Sequence, residues 1–71
     1  MDQETFNLSI RRFLKMVGIN SQREIEQAVA AALADGSLKG NESLPATMTL
    51  EMPGLRLKVD FDGEIELERA T

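Results

Sequence analysis

Histidine, cysteine, tyrosine and tryptophan are all missing from these 71 residues. Without histidine the commonest general base is gone, so Ser9, Ser21, Ser37 and Ser43 have no imidazole to activate them. Without cysteine there is no disulfide, no thiol nucleophile and no soft-metal ligand, which fits a reducing cytoplasm. Acid–base work would fall to carboxylates, and most of these sit where a strand face open to water is expected. Nothing there would raise a carboxyl pKa. The inventory therefore predicts a protein that is not an enzyme, with no cofactor and no bound metal. Long apolar runs are absent too. The opening MDQETFNLSIRR has no signal-like apolar core, and nothing approaches the roughly 18 apolar residues of a membrane span, so neither secretion nor membrane insertion is expected.

What is present suits one small folded domain over 1–71. Hydrophobic residues make up 42% of the chain, too many for a disordered tail. A core of this size is marginal, typically about 3–5 kcal/mol, so tight packing or association must support it. Charge is uneven. Residues 1–41 hold five acids and five bases, whereas residues 42–71 hold seven acids against three bases, which places the whole net charge of −4 in the second half. An acidic half repels phosphate backbones and disfavours a nucleic-acid partner there.

That second half carries the clearest pattern. From Ala46 to Glu68 apolar and polar residues alternate in three sets: Met48, Leu50, Met52; Leu55, Leu57, Val59; Ile65, Leu67. A period of two assigns each set to one side of a strand, so strands are expected over about 46–52, 55–60 and 64–68. A two-residue turn at Pro53-Gly54 would set Met52 against Leu55 and Glu51 against Arg56. A turn over Asp60-Phe61-Asp62-Gly63, with Gly63 left-handed, would set Val59 against Ile65 and Lys58 against Glu66.

The first half reads as two helices, over about 3–17 and 22–35. Phe6, Ile10, Phe13, Leu14 and Val17 share an arc of roughly 100°. Gly18 is placed to end the first helix, and Ser21-Gln22-Arg23-Glu24 reads as a capping box opening the second. Ile25, Ala28, Val29, Ala32 and Leu33 would face inward there, with Gly36 closing the helix. Ala30, Ala31 and Ala34 would face out, as cheap helix formers. The expected fold class is α+β, with two helices packed on one face of a three-stranded antiparallel meander (ααβββ).

Few segments suggest chemistry. Asp60-Phe61-Asp62-Gly63-Glu64 resembles the start of a calcium loop but lacks the later ligands, so turn chemistry is the simpler account. Gly36-Ser37-Leu38-Lys39-Gly40 lacks phosphate-loop spacing and reads as a connection. The most suggestive surface is Leu8 with Arg11, Arg12 and Lys15, on the side of the first helix opposite its apolar arc. A solvated face with one exposed leucine explains it simply. As a contact site, Leu8 would be the anchor and the bases would take a carboxylate or phosphate. Two helices before a hairpin also echo a winged helix-turn-helix, but the outward face of the second helix is mostly alanine, a poor DNA reader.

The segments FNLSIRRFLKMVGINSQREIEQAV, GSLKGNESLPATMTL and DGEIELE resemble a family of small uncharacterised bacterial proteins, a domain of unknown function. The likeness runs from Met1 to Glu68. It is carried by Phe6-Asn7, Val17-Gly18 with Ser21-Gln22, Leu38-Lys39-Gly40 and Leu44-Pro45-Ala46. The resemblance implies a cytoplasmic bacterial protein without an assigned activity or cofactor. The residues and the likeness together lead to the expectation of a non-enzymatic protein–protein interaction module, with itself or another protein as partner. Nucleic-acid binding through a winged-helix arrangement or the Arg11/Arg12/Lys15 face is the alternative.

Overall fold

The computed structural model describes residues 1–69; the last two positions of the expected 1–71 domain, Ala70 and Thr71, lie outside the described residues. It corrects the expected fold. One helix, α1 (Gln3–Ala34), is followed by strand β1 (Ser43–Met52), a short 3-10 turn (Pro53–Leu55) and strand β2 (Leu57–Glu66). There are not two helices, and the sheet has two strands, not three. The chain divides into two compact units, residues 1–37 and 38–71, and each is described here by itself.

The expected break between two helices fails because the local signals are outweighed. A glycine inside a helix costs about 0.8–1.0 kcal/mol relative to alanine. Stopping and restarting a helix instead leaves eight backbone groups without intrahelical partners, and a Ser21 cap would satisfy only one of them. Gly18 lacks the positive φ that would end a helix. Asn20 joins the helix as well, its side-chain amide donating to the Met16 carbonyl at 2.8 Å. The true ends lie further out. At the start, Asp2 is the N-cap: its carboxylate accepts from the Glu4 N–H at 3.1 Å and from the Thr5 hydroxyl at 2.6 Å. At the finish, Gly36 takes φ +83 and donates its N–H to Leu33.

In the second unit β1 and β2 form an antiparallel hairpin of ten facing pairs, from Ser43↔Glu66 to Met52↔Leu57. The connection spans four residues instead of the expected two. Pro53 opens a 3-10 turn, and Arg56 leaves it in the left-handed region at φ 52, donating its N–H to the Pro53 carbonyl at 3.1 Å. A two-residue type II turn would oppose the natural strand twist, and the longer turn avoids this. It shifts the pairing by two residues. Met52 now faces Leu57 where Leu55 was expected, and Glu51 faces Lys58 where Arg56 was expected. Because the shift is even, every side chain keeps its face.

The second expected turn does not form; β2 runs straight through Asp60 to Gly63, and Gly63 is not left-handed. Both faces favour the straight strand. On the polar side the Thr49 hydroxyl donates to Asp60 at 2.7 Å, Thr47 to Asp62 at 2.8 Å and Ser43 to Glu64 at 2.7 Å. On the apolar side Phe61 stands opposite Met48, where a turn would have left it at a tip. Beyond β2 the Leu67 N–H donates to the Glu42 carbonyl at 3.0 Å, which extends the pairing one step past the strand ends.

The two helical readings separate on one substitution. If Ser21 capped a second helix, Ser21→Ala would cost about 0.5–2 kcal/mol. Inside a continuous helix alanine is the better helix former, so Ser21→Ala leaves the urea midpoint unchanged or raises it by no more than about 0.5 kcal/mol of stability.

Candidate functional site

Leu8, Arg11, Arg12 and Lys15 all lie on α1, spaced three, four and seven residues apart, and all four are exposed. The helix therefore brings the expected contact residues onto one side, away from its apolar stripe. Ala30, Ala31 and Ala34 are exposed as well, on the C-terminal half of the same helix. The described residues contain no group of three acidic, histidine or cysteine side chains arranged to hold a metal.

Larger uncovered surfaces lie elsewhere. Among the described residues no side chain is buried. On α1 the stripe runs the whole length of the helix, because removing the break joins the two expected arcs into one. Its N-terminal half is bulky and open, with Phe6 at 47%, Phe13 at 49% and Leu14 at 58% exposure. Its C-terminal half is smaller, and Val17, Ser21, Ile25, Val29 and Ala32 are half-buried.

The hairpin has a second apolar face. Leu44, Ala46, Met48, Leu50 and Met52 of β1 stand opposite Ile65, Gly63, Phe61, Val59 and Leu57 of β2. Leu44, Ala46, Leu50, Leu57 and Ile65 are half-buried, while Met48 at 45% and Phe61 at 57% stay open. The opposite face is acidic, with Asp60, Asp62, Glu64 and Glu66 at alternate positions of β2. Sequence reasoning missed the exposure of the apolar face because it supplied a second helix to cover it. It missed Phe61 as a member of that face because Phe61 lies between two aspartates beside a glycine, a strong turn signal.

Between the units the chain is shaped by one carboxylate. Glu42 accepts from the backbone N–H groups of Lys39 at 2.9 Å, Gly40 at 2.9 Å and Asn41 at 3.2 Å. These donors, that of Lys39 first and Gly40 next, hold its carboxyl below the ordinary value of 4.5. Gly40 takes φ +106 there, a conformation that suits glycine. The turn at 39–42 is thus a carboxylate loop, where the sequence suggested only a flexible connection. It has no opening for a further anion, since Glu42 already fills it.

A family model described as a family of unknown function (DUF6494) matches residues 1–68. The chain belongs to that family, whose small α+β members the expected likeness already pointed to. A comparison with curated proteins found no match, and a comparison with solved structures found none. No helix of the protein is long and apolar enough to cross a membrane among the described residues.

The Glu42 loop makes a pH prediction. A carboxyl whose folded pKa is depressed contributes stability that is present above its unfolded value and is lost as pH falls through the folded value. Glu42→Gln therefore lowers stability at pH 7, and the difference from the parent shrinks as the pH falls below 4.5. Thermal unfolding followed between pH 7 and acid checks this, with a constant gap at all pH values as the contrary result.

Proposed function

We propose that this protein is a non-enzymatic interaction module that completes its fold by association, with a second copy of itself among its partners. The observation that carries the reading is the absence of any buried side chain among the described residues, together with an apolar face on each unit. Single exposed apolar residues are ordinary on protein surfaces, but continuous apolar faces mark contact sites. A helix of 32 residues with an apolar stripe draws most of its stability from packing that stripe, so a stable helix here implies a cover. The lack of histidine, cysteine and tyrosine supports the non-catalytic part. The cytoplasmic and bacterial setting is part of the same proposal and rests on the family likeness.

Nucleic-acid binding is the alternative. Its winged-helix form required a separate second helix, which the fold does not provide. The Arg11, Arg12 and Lys15 face is what remains of it. On that reading DNA or RNA is retarded at low salt, and the shift weakens steeply with salt and on replacing Arg11 and Arg12 by alanine.

Sedimentation of two charge-introducing variants distinguishes the surfaces. The parent sediments as an oligomer at micromolar concentration. Phe13→Glu, in the apolar stripe, moves it to the monomer with at least about tenfold weaker association. Leu8→Glu, on the basic side, leaves self-association unchanged and reports only on other partners. A parent that stays monomeric while fully helical would remove the self-association reading.

A further inference from the structure

The stripe on α1 has an internal symmetry that points to its own partner. Phe6 and Ala32 stand equally far from residue 19, as do Ile10 and Ala28, and Phe13 and Ile25. Nearest the centre Val17 matches Ser21 in the same way. At 100° per residue each of these pairs averages to the same direction on the helix surface, so the four pairs share one seam. In every pair the larger side chain lies in the N-terminal half. We propose that α1 packs against α1 of a second copy in the antiparallel direction, about a two-fold axis at residue 19, with this stripe as the seam. The inference rests on the self-association reading and names its geometry.

Antiparallel pairing sets Phe6 beside the partner's Ala32 and Ile10 beside the partner's Ala28. Each layer then has nearly the same summed volume, which lets two straight helices keep one spacing along their length. Parallel pairing in register would stack phenylalanine on phenylalanine at one end and alanine on alanine at the other. That leaves voids at the alanine end, or forces the helices apart at the phenylalanine end.

Charge favours the same direction. Residues 3–18 carry Glu4 against Arg11, Arg12 and Lys15, a net of +2. Residues 19–34 carry Glu24 and Glu26 against Arg23, a net of −1. The antiparallel arrangement places the basic half of one copy along the acidic half of the other, whereas the parallel one places +2 along +2.

Gly18 adds an independent sign. A mid-helix glycine is costly, and nothing in this chain comes within 4 Å of where its Cβ would stand. No neighbour within the chain requires a glycine there. It flanks the seam one residue from the proposed axis, where paired helices run closest at their midpoint, and a missing side chain at that place permits the approach.

The natural chain has no cysteine, so introduced thiols are the only ones present. Ile10→Cys and Ala28→Cys are made separately, one carrying an added tag, then unfolded together, refolded and mildly oxidised. Residues 10 and 28 are about 27 Å apart along one helix, beyond disulfide reach within a copy or to their own twin in an antiparallel pair. The expected result is a covalent dimer containing one of each, and none from either variant alone. Helical circular dichroism and sedimentation of each variant show that folding and association survive the change.

Ile10→Cys cross-linking to itself would mean parallel pairing. Dimers that sediment but never cross-link would place the contact on another face. Either overturns the antiparallel seam while leaving self-association intact. A parent and variants that all sediment as monomers would remove the seam and the reading beneath it together.

Discussion

A helix standing alone and a hairpin of two strands are each one layer thick, and one layer cannot bury a side chain. Every other feature of this protein follows from that constraint. The helix satisfies its backbone internally from Asp2 to Gly36, and the hairpin satisfies half of its own across ten pairs. What neither can do internally is remove apolar surface from water, which supplies the dominant favourable term in folding. Apolar side chains aligned on one side of each unit, yet nowhere buried, describe a protein whose packing is finished by something else.

The two units secure their local shape with polar groups that are all near water. Asp2 closes the start of the helix, Ser37 lies against Asp35 beyond its end, and Glu42 gathers three backbone N–H groups before the first strand. Asp60 and Asp62 take hydroxyls from the facing threonines. The same acids that give the second half its negative charge therefore serve to pin strand register. Exposed contacts of this kind contribute modestly one by one, which again leaves the larger share of stability to the apolar faces.

Much of the hairpin was legible in the sequence, because period-two alternation survives an error in the turn. Misjudging the connection by two residues left Leu50, Leu57 and Ile65 on their shared face, whereas an error of one would have reversed them. The helix face was legible for the same reason, with Phe6, Ile10 and Phe13 correctly grouped. The break at Gly18 and Ser21 and the turn at Asp62-Gly63 were misread because both are local signals. A capping box and an Asp-Gly pair state what a short segment can do, and longer-range terms decide whether it does so. Backbone continuity decided the first and the cross-strand partners of Phe61, Asp60 and Asp62 the second. Of the surface, the basic group around Leu8 was visible from spacing alone. The exposed hairpin face was not, since seeing it required knowing that the second helix is absent.

The concentration dependence of thermal unfolding tests the central claim most directly. If a second copy completes the packing, unfolding is coupled to dissociation, and Tm rises steadily as protein concentration is increased over a hundredfold range, about two decades of mass action. A sharp, fully reversible transition whose Tm is the same at every concentration would show that the chain finishes its core alone, and would contradict the account.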